Sequence, residues 1–263
     1  MHEVTPTLAR ICIYPFKSLD GMVVDHASLV KKGSLQNDRR FALINDAGNI
    51  INANRSDGIY RLHAQYSSDL QTITLGDRTE VPRRTFQIAE ERAELEAWLS
   101  EFLRLSIRLM ENKTGGFPDD PDAHGPTIIS TATLNRIREW FPELTLDEVR
   151  KRFRANLEID GVPPFWEDCL FGIRSQPVPF QLGKVRMQGV NPCARCVVPS
   201  RSPFDGERTS NFQKRFAELR RAQLPDWSEK SQFDHYYRLA VNTSLPADNS
   251  AFELQQGDLL TIG

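Results

Sequence analysis

The sequence predicts an α+β chain, rich in short strands and barrel-like in part, and three observations predict it. Short β-prone runs recur from one end to the other, bounded by Pro, Gly, Asn or Asp. Only a few segments, near 88–104, 133–141 and 209–222, carry apolar residues at helical spacing. The two patterns do not alternate regularly, so a repeated strand–helix–strand layout is not expected.

Taken in order, LARICIYP (8–15) reads as a strand closed by proline, and FKSLDG (16–21) as the loop after it. VVDHASLV (23–30) is a second strand. RRFALIND (39–46), the turn at Gly48 and the following IINAN make a hairpin. HAQYSSD and LQTITLG (63–76) give two more strands. In 88–104, Leu95, Trp98, Leu99, Phe102 and Leu103 share a helical face. NKTGGFPDDPDAHGP (112–126) is dense in Gly, Pro and Asp and reads as a linker between domains at 1–111 and 127–263. TIIS (127–130) is a strand running into a helix capped at Ser130 and Thr131, with Leu134, Ile137 and Phe141 aligned. VRKRFRANLEID (149–160) reads as a basic run leading into a strand. FGIRS, VPFQLGKVRMQGV and CVVPS read as strands, 209–222 as a helix, and YYRLAVNT and FELQQGDLLTIG as closing strands.

Hydrophobic residues are 40% and charged residues 26% of the chain, as in ordinary globular proteins. A net charge of −2 gives no general attraction to nucleic acid or acidic membranes, so any anion site must be a local cluster of cations. No apolar run approaches the ~20 residues that span a bilayer, and the N-terminus lacks a signal-peptide layout, which points to the cytoplasm.

Of the four cysteines, Cys12 and Cys169 lie in apolar surroundings and read as small buried hydrophobes. Cys193 and Cys196 form NPCARC. A thioredoxin-like pair should open a helix, yet VVPS follows. A structural zinc site needs two further ligands, and the histidines are scattered singly. Two readings stay open: packed thiols, or one thiolate on a thiophilic metal whose other ligands come from an organic cofactor. The second reading requires an anion-binding set. Three places offer one: Lys17 and Ser18 after the first strand, Ser130 and Thr131 at a helix N-terminus, and the basic run with Arg154 and Asn156, which in a strand would share a face. Each has a bland counterpart: a loop lysine, an ordinary cap, a solvated basic face.

IYPFKSLDG, NDRRFALIND, IISTATL, RFRANLEID and NPCARC, in that order, resemble the MOSC family (molybdenum cofactor sulfurase C-terminal domain) with its N-terminal β-barrel partner domain. The likeness covers nearly the whole chain and is similar to the mitochondrial amidoxime-reducing component and its bacterial counterparts. It implies a β-barrel-rich MOSC fold with a smaller N-terminal barrel-like domain. It also implies molybdenum cofactor, a molybdenum–pyranopterin, held by the thiolate of Cys196, with Cys193 non-ligating. Lys17, Ser18, Arg39, Arg154, Asn156 and Arg195 would bind the pterin and its phosphate, and Asp122 and His124 would lie near the metal. The implied activity is removal of oxygen from N–O in amidoximes or N-hydroxylated bases; no pyridoxal phosphate is expected. Some bacterial relatives carry a ferredoxin-like domain, but no cysteine follows Cys196 here. Electrons are therefore expected from a separate ferredoxin, cytochrome or flavin reductase. The rival readings are a cofactor or sulfur carrier without turnover, and a redox or zinc protein using both thiols.

Overall fold

The computed structural model describes residues 5–80, 82–120, 122–247, 249 and 251–263. Its centre is the strand that the first proline-bounded run forms. β1 (Thr7–Ile13) pairs antiparallel with β2 (Met22–Val24) on one side and with β11 (Leu157–Asp160) on the other. From β11 the same sheet continues through β10 (Ile128–Ser130), β14 (Arg238–Ser244), β13 (Val185–Ala194), β12 (Val178–Leu182) and β16 (Leu260–Ile262). A bridge between Thr7 and Leu259, with Leu260 N donating to Pro6 O at 2.9 Å, brings the last strand back to the first. The sheet thereby closes into a barrel, which removes the open edge that would otherwise invite pairing. Leu8, Ile11, Leu157, Phe180, Val185 and Val241 fill its core.

β10 and β11 run parallel, and parallel neighbours need a crossover. Here it is helical: α3 (Thr131–Trp140) and α4 (Leu146–Phe153). The α3 cap falls where the sequence puts it, on Ser130, whose Oγ accepts from Thr133 N at 3.0 Å. The fifth helix, α5 (Phe212–Ala222), covers α3 and α4 with Phe212 and Phe216; Phe212 stacks on Phe141 at 4.3 Å between ring centroids.

The N-terminal half builds a second core around Phe16, Phe41, Leu43, Ile73, Leu95 and Leu99. Its strands are β4 (Phe41–Ile44), β5 (Ile50–Ile51) and β9 (Arg108–Glu111) in one sheet, and β6 (Leu62–Tyr66), β7 (Thr72–Asp77) and β8 (Arg84–Gln87) in another. A short helix, α1 (Gly58–Arg61), and the amphipathic α2 (Arg92–Leu103) complete it. Phe16 and Leu19, in the loop between β1 and β2, pack into this second core, so residues 14–20 lie on the seam between the two cores. Among the described residues no helix is long and apolar enough to cross a membrane.

Several sequence expectations change. The run 23–30 is two strands: β2 pairs with β1, whereas β3 (His26–Ser28) pairs with β15 (Glu253–Gln255). β8 and β9 were not expected. The 149–160 run is mostly helix: α4 opens on a capping box in which Thr145 and Glu148 satisfy each other's backbone N–H, and it ends at Arg154. CVVPS forms a 3-10 turn at 198–200 with Pro199 inside it, and FGIRS keeps only an isolated bridge from Phe171 to Pro177.

Behind α3 lies a buried carboxyl. Glu167 is 1% exposed and accepts from Thr133 Oγ1 at 3.0 Å. Burial, then the adjacent Asp168, pushes it up to about 7. The folded state therefore holds a proton that the unfolded chain releases at lower pH. The associated stability is present below the ordinary carboxylate range and is lost as pH rises through about 7. At about 1.4 kcal/mol per pH unit, the window amounts to roughly 3 kcal/mol. Glu167→Gln, which keeps an acceptor for Thr133, should flatten this dependence in urea titrations at acid and alkaline pH. Parallel pH profiles for both proteins would refute the assignment.

Candidate functional site

The seam opens into a cleft of ≈1560 Å³ lined from both halves. Twelve lysine or arginine side chains but only six carboxylates line it among the described residues, in a chain whose net charge is −2. This local surplus is the clustering that an anion site requires.

The first wall grows from the end of β1. Tyr14 N donates to Asp38 Oδ1 at 2.8 Å, and Arg39 N donates to Tyr14 O at 2.7 Å, so the 37–40 turn is fastened to the strand end. Arg39 sits at φ 49° and forms an ion pair with Asp38; its Nε lies 3.9 Å from Asp119 Oδ2. Burial works against its charge, but Asp38 and Asp119 outweigh it and push its pKa up. Lys17 is buried, and its Nζ donates to Phe117 O at 2.9 Å and to Asp119 Oδ1 at 2.5 Å. Ser18 follows at φ 71° on the cleft wall.

Arg154 and Asn156 do not share a strand face, because β11 begins only at Leu157. Arg154 ends α4 in the left-handed conformation at φ 52° and lays its guanidinium 4.0 Å from the Tyr14 ring centroid. It lines the cleft, and no carboxylate among the described residues pairs with it. Asn156 borders the cleft but is already committed. Its Nδ2 donates to Cys12 O at 3.0 Å and to Asp38 Oδ1 at 3.1 Å, while its Oδ1 accepts from Thr127 N at 3.2 Å. Asn156 is thus a clamp joining β1, β10 and the Arg39 turn rather than a free amide beside Arg154.

The second wall comes from the end of β13, and it separates the two NPCARC thiols. Cys193 is 4% exposed; its Sγ donates to Asn242 Oδ1 at 2.7 Å, and burial pushes the thiol up to about 11. Cys196, past the strand end, is exposed and lines the cleft. Between them, Arg195 Nη2 donates to Phe153 O, and the guanidinium lies 5.5 Å from the Phe153 ring centroid. Cys12 is part-buried beneath Tyr14, and Cys169 is part-buried and pushed up to about 12 by burial. Among the described residues no group of three or more His, Cys, Asp or Glu could hold a metal, so the thiols belong to no all-protein zinc site there.

The geometry therefore brings Lys17, Ser18, Arg39, His124, Arg154, Arg195 and Cys196 to one cleft. Three expected residues stand outside it. Ser130 is fully buried, its hydroxyl donating to Thr133 Oγ1 at 2.8 Å as part of the cap. Thr131 Oγ1 is enclosed without a hydrogen-bond partner, away from the lining. Asp122 is exposed, and the carboxylates that face the cleft in its place are Asp119 and Asp120. Asp119 is held at about 2: partial burial works upward, but Arg39 and Lys17 override it. Tyr14, Asp38, Asp119 and Asp120 were not anticipated. Asp38 precedes Arg39 in the motif and could have been named; nothing in the sequence marks Asp119.

Residues 5–106 match the MOSC N-terminal beta barrel domain and residues 125–259 match the MOSC domain, and the chain belongs to the MOSC domain family. Curated relatives named molybdenum cofactor sulfurase include those of Drosophila mojavensis, 24% identical over 99% of this chain, and Caenorhabditis briggsae, 22% identical over 83%. That of Caenorhabditis elegans is 22% identical over 85%. The chain spans only about a third of the length of these relatives (34%, 32% and 33%).

Proposed function

We propose that the cleft binds molybdenum cofactor through the thiolate of Cys196 and that the protein reduces N-hydroxylated compounds, amidoximes or hydroxylamino bases, with electrons from a separate redox protein. The observation that carries this reading is the asymmetry of NPCARC: one thiol is sealed against Asn242, and the other stands free in a cation-rich cleft. The donor set fits the group. A soft thiolate suits molybdenum, and Arg154 together with Arg195, Arg39 and Lys17 suits an anionic pterin phosphate. When bound, the cofactor supplies two-electron chemistry able to take an oxygen from N–O. This chain's residues position and neutralise. Tyr14 presents its face to Arg154, the Asp38–Asn156 clamp fixes Arg39, and His124 stands on the wall as a polar group within the same cleft.

Arg154→Ala is expected to weaken cofactor retention about tenfold or more while leaving the thermal stability of the cofactor-free protein unchanged. Equal loss of stability would make Arg154 structural. The activity itself is tested by mixing loaded protein with reduced viologen dye and an amidoxime or N-hydroxylated base. Dye oxidation that depends on substrate supports the reductase. The name shared by the curated relatives favours a second reading, a cofactor or sulfur carrier, which predicts bound molybdenum without turnover.

A further inference from the structure

The linker-like segment 112–126 does not simply join two halves. Its start is fixed to the Arg39 turn: Asn112 N donates to Arg40 O at 2.8 Å and Phe117 N to Arg39 O at 2.9 Å. Gly116, at φ 64°, lies so close to the Asp38 and Arg39 carbonyls that a Cβ there would collide with backbone. Its end is fixed by Gly125 N, which donates to Thr243 O at 2.8 Å. Between these anchors, no backbone–backbone hydrogen bond ties residues 118–124 to the body among the described residues. Side chains hold the segment instead. Asp119 reaches the Lys17–Arg39 pair on one wall, and Asp120 Oδ2 accepts from Asn242 Nδ2 at 3.1 Å on the other. Asn242 is the same residue that holds the Cys193 thiol. The described residues of the segment thus act as a strap at the cleft, anchored at both ends and fastened between them by two adjacent carboxylates.

We infer that Asp119 is an internal competitor for the anion site formed by Lys17 and Arg39, and that a phosphate group entering the cleft must displace it and release the strap. This rests on the proposed cofactor reading but concerns only the phosphate-binding end of the site. Three features support it. The two cations offer hydrogen-bond donors and charge suited to a phosphate dianion, and a carboxylate is the side chain that mimics one. The Asp119 side chain is 76% exposed, so only one side of it is engaged and it can leave without opening the core. The bonds it makes are ionic, and a dianion offers the same cations more charge than a monoanion does.

The strap thereby couples occupancy to access. In the ligand-free state the cations are neutralised and the cleft is spanned. Once an anion takes Lys17 and Arg39, Asp119 loses its partners, and the Asp120–Asn242 contact still holds the far side of the stretch. Asp119 then returns to close the site when the anion departs.

The test uses full-length cofactor-free protein and inorganic phosphate as the probe. Titration calorimetry should show Asp119→Asn binding phosphate about fivefold or more tightly than wild type, the scale of losing an exposed ionic competitor. Asp122→Asn makes the same charge change on the exposed part of the segment and should leave the affinity unchanged. Lys17→Met, checked for folding by its melting curve, should lose binding in both the wild-type and Asp119→Asn backgrounds. An aspartate-directed protease should cut 118–122 faster in wild type when phosphate is added, and fast without phosphate in Asp119→Asn. Equal affinities for wild type and Asp119→Asn, an equal gain from Asp122→Asn, no phosphate binding by either protein, or cleavage indifferent to phosphate would each overturn the inference. Molybdenum content of wild type from a cofactor-making host is a separate reading. Bound molybdenum with no Asp119 effect rejects the strap alone, and an Asp119 effect without molybdenum rejects the cofactor assignment alone.

Discussion

Cys196→Ala is expected to abolish molybdenum in protein purified from a host that makes the cofactor, while Cys193→Ala leaves the metal content near that of wild type. Replacing a residue that merely orients a ligand already costs about 10–100-fold in metal affinity, and removing the ligand itself should exceed that. Cys193 has another task. Its thiol is sealed in the core formed by Phe153, Phe212 and Phe216, with its sulfur on Asn242, and burial holds it protonated. Truncating it should cost about 1 kcal/mol of stability and little binding. Metal analysis and the fluorescence of oxidised pterin measure both variants. Equal damage from the two substitutions, or stoichiometric zinc in place of molybdenum, would favour the paired-thiol reading and reject the one proposed here.

That asymmetry was legible only in part. NPCARC could be found by eye, but which thiol is free depends on Asn242, a residue 49 positions away on a paired strand. β1 and α3 were readable because their signals are local: alternation between prolines in one, a serine cap and i, i+3 apolar spacing in the other. The split of 23–30 was not, since each piece is a strand by virtue of its partner, one adjacent and one more than two hundred residues on. α4 was hidden by its own charge. Of its eight residues only Val149, Arg152 and Phe153 are buried, and a buried arginine disguises the apolar face. The Thr145–Glu148 box was the available signal. Arg154 and Arg39 adopt positive φ that a sequence does not announce for non-glycine residues. Asn156 reads as an amide facing an anion beside Arg154, yet its hydrogen bonds are closed by Cys12, Asp38 and Thr127, a sum no local reading can take. Of the site residues supplied by resemblance, most thus face the cleft, Asn156 holds it in shape and Asp122 lies outside it.

Asp168→Ala is expected to be the most destabilising single change in the molecule, and its effect should reach the site. Arg220 is 1% exposed on α5, with its Nη2 donating to Asp168 Oδ2 and its guanidinium 4.2 Å from the Phe165 ring centroid and 5.2 Å from that of Phe233. Ser228 Oγ donates to the same carboxylate oxygen. Burial pushes the Asp168 carboxyl up, with Arg220 pulling it the other way. Removing the carboxylate strands a buried cation that cannot shed its proton, at a cost of about 3–5 kcal/mol. Against a total of roughly 5–15 kcal/mol, that leaves a marginal fold. Arg220→Met should cost less, because the carboxyl left behind can take up a proton. The double variant Asp168→Leu/Arg220→Met should recover most of the loss. Urea midpoints for the four proteins measure this, and an Asp168→Ala protein within about 1 kcal/mol of wild type would mean that Arg220 finds water or another partner. The link to the cleft is mechanical. α5 carries Phe216, which packs 5.6 Å from Phe153 between ring centroids; Phe153 in turn supports the guanidinium of Arg195 and accepts its hydrogen bond. Loosening the pair should therefore free Arg195 and the turn bearing Cys196 before the barrel itself opens; on the proposed cofactor reading, molybdenum loss on warming should precede the far-UV transition in Asp168→Ala.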